Sequence, residues 1–311
     1  MSNSQVMAST LQPIKSVIVL LMIFSAPIMA QAQDEGPWVF TADGGLVHQT
    51  DTDLKDGDGS FAVDRWFVSG GVDYVWDQRT SLGFSIGGGK SDYEFDDLTS
   101  LGGGGPWGEV EDSRVSVIGR FGFGDSAVVL ISPTVRSNGE RGADSGDSLT
   151  YGVFAAVVWQ LNQDMTIGPG VGVFSRLEDS ARVFPVLAID WNISERWNLS
   201  TGRGLASSQG PGLRLSYELN QDWSFGLAGR YEDIEFRLDD EGAAAGGVGR
   251  DQSFPLVAIA TLKPNSKLTF SVFTGLELGG TLKLMDSKGI KVDESDYDPA
   301  PLFGATFEFR Y

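Results

Sequence analysis

Long segments of this chain alternate between apolar residues and small, polar or charged ones. At the C-terminus one face carries Phe303, Ala305, Phe307, Phe309 and Tyr311, while Gly, Thr, Glu and Arg stand between them. The same period of two recurs in 213–219 and in 223–231. Because successive side chains of a β-strand point to opposite faces, each segment predicts a strand with one apolar face. Helical patterns are scarce, and the 41 Gly residues are spread through the chain.

The length of these segments favours membrane strands. Strands of soluble proteins have about five or six residues, whereas a tilted strand needs about ten to cross a membrane. Aromatic residues stand at both ends of apolar faces, as Trp66 and Trp76 do. Ten residues at roughly 3.3 Å each, tilted by about 40°, separate such a pair by about 25 Å, the height of the apolar band of a membrane barrel. A soluble sandwich is the alternative that alternation alone allows.

The connections between the segments set the number of strands. Short turns are predicted at 77–79, 124–125, 162–164, 194–196, 220–222 and 264–266, and mostly longer polar loops at 50–62, 94–112, 138–148, 177–181, 206–211, 238–251 and 284–299. Asn, Asp, Ser and Gly mark most of the short turns. We therefore expect an all-β fold: a single transmembrane antiparallel up-and-down β-barrel of about 14 strands, with its termini and short turns on the periplasmic side.

Residues 1–32 have the pattern of a secretory signal peptide. Lys15 precedes an apolar run from Ser16 to Ala30, and Ala30-Gln31-Ala32 supplies a cleavage site of small residues. A membrane-anchoring helix is the alternative, but the run is interrupted by Pro27 and is shorter than the roughly 20 residues that span a bilayer. We expect 33–311 to form the barrel, located in the cell outer membrane of a Gram-negative bacterium.

Composition excludes several functional classes. The chain has no Cys, one His, and 42 acidic against 23 basic residues, for a net charge of -19. The absence of Cys excludes disulfides, thiolate metal sites and a Cys nucleophile. A single His excludes a two-histidine metal site and leaves one base for a Ser-His pair. The acidic excess argues against nucleic-acid binding, and no cofactor is expected.

Two C-terminal stretches carry a resemblance to a known family. PGLRLSYELNQDWSFGLAGRYED, from Pro211, and the stretch from SFPLVAIA through FTGLELGGTLKL to DYDPAPLFGATFEFRY resemble a family of uncharacterised, porin-like outer-membrane barrels. The last strand of such proteins ends in an aromatic residue, here Tyr311 in place of the more usual Phe or Trp. The resemblance implies a barrel surrounded by outer-membrane lipid and lipopolysaccharide, and assembled by the barrel-assembly machinery through its last strand. It carries no catalytic or binding residue.

We expect function to reside in the barrel interior. The residues predicted to line the lumen are Arg114, Arg120, Arg136, Arg176 and Arg182 on one wall, and Asp43, Asp73, Glu277 and Glu308 on the other. Opposed basic and acidic walls would restrict passage by charge and size. A closed lumen filled by structural ion pairs is the alternative, although fourteen strands enclose more space than side chains fill in an eight-stranded barrel.

Part of the predicted lumenal face is apolar. It comprises Val128, Leu130, Phe154, Ala156, Val158, Val186 and Ala188. Such a strip could hold an apolar solute, as in transporters of hydrophobic compounds. Alternatively, it packs against an inward-folded loop.

The outer loops carry much of the acid. Asp51, Asp53, Asp56 and Asp58 cluster in the first loop and are the candidates for a Ca²⁺ or Mg²⁺ site, since these ions prefer carboxylate oxygens. The segment fails the EF-hand pattern because Lys55 stands where a ligand belongs, and simple solvated loops are the alternative. In both cases a negative vestibule should concentrate cations.

An enzyme is not expected. His48 shares the outward parity of Phe40 and Leu46, and no G-x-S-x-G or paired-carboxylate motif accompanies it, although Ser60 and Ser91 lie in predicted loops that could approach it. The sequence therefore favours a passive porin-like channel with a weak cation preference. A non-conducting structural or surface-interaction barrel and a transporter of hydrophobic compounds are the alternatives.

Overall fold

The computed structural model describes residues 37–103, 105–201 and 212–311. The strands are β1 (Trp38–Asp53), β2 (Ser60–Asp77), β3 (Thr80–Asp96), β4 (Glu109–Phe123), β5 (Ala127–Glu140), β6 (Leu149–Gln160), β7 (Met165–Phe174), β8 (Arg182–Asn192), β9 (Trp197–Ser200), β10 (Gly212–Glu218), β11 (Trp223–Arg230), β12 (Glu232–Arg237), β13 (Val248–Asn265), β14 (Leu268–Met285), β15 (Lys291–Asp296) and β16 (Ala300–Arg310). The predicted signal peptide and the predicted loop 206–211 lie outside the described residues. Within the described ranges no helix is long and apolar enough to cross a membrane.

Antiparallel pairing closes these strands into a ring. Strands β1 to β11 pair in chain order, β11 pairs with β13, β13 with β14, β14 with β16, and β16 returns to β1. The segments β11 and β12 are two parts of one strand, interrupted at Tyr231, because both pair with β13 in one register. Segment β15 pairs with the outer part of β14 and leads into β16. The fold is a closed antiparallel barrel of 14 strands, which confirms the predicted class and strand number.

The outer wall of the barrel is apolar. Its exposed side chains recur at every second position, as Leu82, Phe84 and Ile86 do on β3. Trp66 and Trp76 are both exposed on the same face of β2. The intervening positions of these strands carry Gly, Ser, Asp and Arg, which face inward. A continuous apolar surface of this extent is unfavourable in water and is typical of a wall that contacts lipid.

Short and long connections lie at opposite ends of the barrel. At one end the turns have two to four residues, and the side chains of Asn162, Asn220 and Asn265 cap three of them. Asn220 Oδ1, for example, accepts the N–H groups of Asp222 and Trp223 at 2.9 and 2.8 Å. At the other end the strands extend further than the sequence predicts. Strand β1 continues to Asp53 and β2 begins at Ser60, so the predicted loop 50–62 is reduced to 54–59.

One segment leaves the barrel wall and crosses the interior. We call it the strap, Glu232–Arg237 (β12). It keeps its pairing with β13, but on its other side Arg237 pairs in parallel with Gly139 of β5. Asn138 of β5 also donates from Nδ2 to the carbonyl oxygen of Glu235 at 2.8 Å. Because β6 to β10 separate β5 from β11 along the wall, the strap divides the outer half of the barrel.

Side chains fill one of the two divisions. The part enclosed by β1 to β5, the strap and β13 to β15 contains the first core cluster: Leu54, Phe61, Val63, Tyr93, Leu101, Trp107, Val110, Phe236, Leu238, Ala244, Leu282, Leu284, Tyr297 and Ala300. Nearer the middle of the barrel lies the second core cluster, Val47, Val257, Ile259, Phe273 and Leu302. Both clusters belong to the same side of the interior, so the space that remains lies toward β6 to β8.

Candidate functional site in the barrel interior

A buried ionic network adjoins the first core cluster. Arg65 donates from Nη2 to Asp251 at 3.0 Å and from Nη1 to Glu277 at 3.2 Å, and the side chains of both carboxylates are 3% exposed. Tyr93 donates its hydroxyl to Asp251 at 3.0 Å, and the hydroxyl of Tyr297 lies 3.1 Å from Asp251 and 3.3 Å from Glu277. Buried charges are costly unless such partners compensate them. This network therefore consolidates the filled side of the interior.

The strap carries an apolar and a charged face. Ile234 and Phe236 pack against the first core cluster. Asp233 and Glu235 have the opposite parity and point toward β7 and β8. On β11 the odd-numbered side chains, such as that of Phe225, are exposed on the outer wall. On the strap the odd-numbered side chains are charged and face the interior. The reason is that the strap lies inside the ring, so its far face meets protein instead of lipid.

Three guanidinium groups bind the charged face of the strap. Arg176 donates from Nε to Glu235 at 2.9 Å, and Arg182 donates from Nη1 to Asp233. Arg250 donates from Nε and Nη2 to the two oxygens of Asp233, at 2.6 and 2.7 Å. Arg176 and Arg182 flank the β7–β8 connection, so these pairs tie the strap to the opposite wall across the open side of the interior.

The inward face of β6 to β8 is an apolar groove. Because Arg182 contacts the strap, it faces inward, and so do the other even-numbered residues of β8. The groove has walls of Phe154, Ala156 and Val158 on β6 and Phe184, Val186 and Ala188 on β8. Its floor is formed by Gly168 and Gly170 on β7, and the ring of Phe184 covers Gly172.

Its outer end is aromatic. The rings of Phe174 and Phe184 stack with centroids 5.9 Å apart and planes 10° apart. A Cβ atom added to Gly172 would lie 2.3 Å from the ring of Phe184, so only glycine leaves room for this ring. Val128 and Leu130 of β5 extend the apolar face, opposite Val158 and Ala156. The apolar strip expected from the sequence is thus one continuous surface across four strands.

The nine predicted lumen-lining residues are distributed among several groups. Among the basic residues, Arg114 and Arg136 are cross-strand partners on β4 and β5, Arg120 pairs with Leu130, and Arg176 and Arg182 bind the strap. Among the acidic residues, Asp43 pairs with Glu308 and accepts a hydrogen bond from Ser69, and Asp73 pairs with Gly83. Glu277 lies in the network around Arg65. The basic residues therefore lie on the β4 to β8 side. That these residues line a solute route stays a prediction.

The outer loops enclose a cleft with acidic residues in its lining. A cavity of about 430 Å³ is lined by Tyr93, Phe95, Gly105, Pro106, Trp107, Gly108, Glu140, Asp239, Glu241 and Gly242. Three of these residues are acidic. In the first loop, Asp56 accepts the N–H of Asp296, and the N–H of Asp58 bonds Thr99. Among the described residues, no three His, Asp or Glu side chains gather as metal ligands, and Asp51, Asp53, Asp56 and Asp58 are no exception.

His48 is placed on the outer face. Its Nδ1 lies 2.7 Å from Asp64 of β2, and its ring is 5.1 Å from that of Phe303. Ser91 pairs with Arg65, which faces inward, and Ser60 pairs with Asp53. Ser91 is therefore on the inner face, whereas Ser60 lies at the outer end of β2, four residues along the strand from Asp64.

The strap and its partners were not predicted from the sequence. Residues 238–251 were expected to form a loop, and no role was expected for Asp233, Glu235, Arg250 or Asp251. The sequence does contain one signal. The odd-numbered positions of this strand are apolar on β11 but carry charged residues beyond Tyr231, at Asp233, Glu235 and Arg237. Such a change indicates that the strand has left the lipid, but it does not say where the strand goes.

Comparison with known protein families gives one match. A family described as a domain of unknown function (DUF6268) matches residues 135–282, a little under half of the chain. The match overlaps the stretches that carry the predicted resemblance, and that prediction is confirmed. No curated protein matches the sequence.

Several solved structures are similar in outline. The COG4313 outer membrane channel from Pseudomonas putida F1 is 11% identical over 92% of this chain and 100% of its own, with a TM-score of 0.49. The toluene transporter TodX of P. putida is 7% identical over 90% and 91%, with a TM-score of 0.45. The translocator domain of the autotransporter NalP from Neisseria meningitidis is 13% identical over 89% and 90%, with a TM-score of 0.38. At these values none assigns a function or a residue role to this chain.

Proposed function

We propose that this protein is an outer-membrane channel through which small solutes pass passively, with a weak preference for cations. The observation that supports it most is the asymmetric filling of the barrel. Side chains occupy the β13 to β2 side, whereas the β6 to β8 side presents a groove with a glycine floor. A fourteen-stranded ring encloses more space than side chains fill in an eight-stranded one.

Outer-membrane location rests on the wall and the ends of the barrel. The exposed apolar side chains form a band that contact with lipid would cover. Short turns at one end and longer hairpins at the other correspond to the periplasmic and external ends of a bacterial barrel. The predicted signal peptide, 1–32, and recognition of the last strand, ending in Tyr311, by the barrel-assembly machinery belong to the same proposal.

The route enters between the strap and the β7–β8 connection. On this path a solute meets the ion pairs of Asp233 and Glu235 with Arg176 and Arg182, and then the apolar groove. Cation preference arises at the outer loops, where Glu140, Asp239 and Glu241 line a cleft over the filled side of the interior and make this end of the barrel negative. Because salt screens exposed charges over about 10 Å at 0.1 M, the preference should fade as salt rises.

Conductance of the refolded protein in a planar bilayer tests this proposal. We expect stable steps and, in a KCl gradient, a reversal potential on the cation side that shrinks at about 1 M salt. Replacing Asp239→Asn together with Glu241→Gln should reduce the potential, whereas Asp125→Asn in a short turn at the other end is the matched control. A silent wild-type barrel would contradict the proposal and favour a structural or surface-interaction role.

A second variant tests the route itself. Arg176→Gln with Arg182→Gln removes the two guanidiniums that tie the strap to the opposite wall. We expect larger single-channel steps, because the narrow section loses its cross-links. Arg141→Gln, an exposed arginine that pairs with Glu109 in an outer loop, is the control. Unchanged steps in the double variant would show that solutes pass elsewhere.

The apolar groove favours a second candidate, passage of apolar compounds. Such compounds could bind to the apolar surface of Phe154, Phe184 and Val186, which passage of hydrated solutes through an aqueous pore does not require. Uptake of a radiolabelled hydrocarbon into proteoliposomes, compared with protein-free liposomes, separates this candidate from a purely aqueous channel.

A further inference from the structure

The apolar groove of β6 to β8 ends at a guanidinium group. Arg182, Phe184, Val186 and Ala188 follow one another on the inward face of β8, and Arg182 pairs with Phe174. The side chain of Arg182 is 36% exposed, against 19% for Arg176 and 16% for Arg250. Of the three guanidiniums at the strap, that of Arg182 is therefore the most exposed.

The charge of Arg182 is only partly neutralised. Its partner Asp233 also accepts two hydrogen bonds from Arg250, and Gln252 donates to the same carboxylate at 3.3 Å. One carboxylate thus serves two guanidiniums. Arg182 uses Nη1 for Asp233, and its guanidinium lies over the ring of Tyr231 at 5.3 Å. Its remaining N–H groups are donors of the kind that bind carboxylates strongly.

The other charged groups near the strap are more fully paired. Glu235 accepts from Arg176 and lies 3.5 Å from Arg250, and Arg176 also bonds Asp179 in the β7–β8 connection. At the opposite end of β8 the inward charged residue is acidic: Asp190 accepts a hydrogen bond from Asn198 at 2.8 Å. The inward charged residue of β8 is therefore basic at the outer end of the groove and acidic at its inner end.

We propose that this groove binds a small amphipathic carboxylate, with its apolar ring or chain against β6 to β8 and its carboxylate on Arg182. The inference rests on the proposed channel function and adds an anionic class of solute to a route whose general preference is for cations. Because the outer cleft is negative, entry of this class should become easier as salt screens the cleft. A neutral apolar compound would gain the groove contacts but not the charge-assisted hydrogen bonds. A small inorganic anion would gain only the latter. The acid at Asp190 sets the orientation, with the carboxylate toward the outside.

Fluorine NMR of 4-fluorobenzoate tests the proposal with the full-length protein refolded in detergent micelles. Protein-free micelles supply the baseline, and 4-fluorobenzyl alcohol has nearly the same body without the charge. We expect saturable binding of the carboxylate and at least tenfold weaker binding of the alcohol. Loss of one charge-assisted hydrogen bond, worth about 1.5–3 kcal/mol, corresponds to roughly ten- to hundredfold in affinity.

Two variants and a control locate the site. Arg182→Gln should weaken binding of 4-fluorobenzoate at least tenfold, and Val186→Gln, which places an amide in the groove, should weaken it as well. Arg141→Gln removes an outer-loop arginine whose side chain is 71% exposed and should leave the affinity unchanged. Heat-modifiable migration on gels checks that each variant is folded.

The proposal is overturned if the wild type shows no saturable binding, if the alcohol binds equally well, or if Arg182→Gln binds as the wild type does. Should Arg182→Gln fail to fold, Val186→Gln and the comparison with the alcohol decide the question. Conductance is an independent measurement. A conducting barrel that does not bind 4-fluorobenzoate would refute this inference alone, whereas a binding but silent barrel would refute the channel.

Discussion

Phe236 anchors the strap, and its removal should release the strap from the first core cluster. The side chain is 0% exposed, and its ring lies 5.2 Å from that of Trp107 and 6.1 Å from that of Tyr93. Truncating a buried Phe to Ala costs about 3–5 kcal/mol, because apolar contacts are lost and a cavity remains. Since each 1.4 kcal/mol is tenfold in an equilibrium, Phe236→Ala should raise the population of detached strap by roughly two orders of magnitude or more.

Trypsin offers a direct assay, because Arg237 ends the strap. In the folded protein its guanidinium donates to the carbonyl oxygens of Asp147 and Gly246, and it pairs in the ladder with Val248. Cleavage after Arg237 should therefore need release of the strap and should accelerate in Phe236→Ala under conditions where reclosing outpaces cleavage.

The matched control is Phe225→Ala on the preceding part of the same strand, where the side chain is exposed on the outer wall. This variant loses contact with detergent but leaves the core intact, so cleavage should stay near the wild-type rate. Equal acceleration in both variants, or none in Phe236→Ala, would refute the view that the first core cluster holds the strap.

Two further predictions concern charged groups. Tyr297→Phe removes the hydroxyl that bonds the buried carboxylates Asp251 and Glu277, and it should lower the free energy of unfolding by about 1.5–3 kcal/mol in guanidinium titrations; a loss below about 0.5 kcal/mol would contradict the role of this network. The hydrogen bond from Lys90 lowers the pKa of Glu109, so this pair stabilises the β3–β4 hairpin above the ordinary glutamate pKa and loses that effect as the pH falls through the lowered value. The rate of pepsin cleavage in loop 97–108 should therefore rise on acidification in the wild type. It should rise less in Glu109→Gln, because the hairpin of this variant lacks the pair at every pH. Identical pH profiles of the two proteins would disprove the linkage.

Much of the barrel could be predicted because its signals are local. The alternation of Phe303 to Tyr311, and of Leu82 to Ile86 on β3, reports which side of a strand faces lipid, whatever the neighbouring strands are. Turn residues such as Asn220 mark where a strand reverses. Together these signals predicted a closed ring of 14 strands and the apolar strip on β6 and β8.

The partners of the interior side chains could not be predicted in the same way. Glu277 was expected to line the lumen, yet it is buried with Arg65, which lies 212 residues away in the chain. Arg182 meets Asp233 across 51 residues, on a strand that is not its neighbour in the ring. Parity assigns a residue to the inner face, but it contains no information about which side chain stands opposite.

Alternation with a period of two is a property of single strands, and together with segment length and turn residues it predicted the barrel, its apolar outer wall and its approximate size. The inward course of the strap depended on the assembled ring, because its far edge pairs with β5, a strand about a hundred residues earlier, through Arg237 and Gly139. That crossing determines which half of the interior is filled by the first core cluster and leaves the groove of β6 to β8, with Arg182 at its end, facing the remaining space.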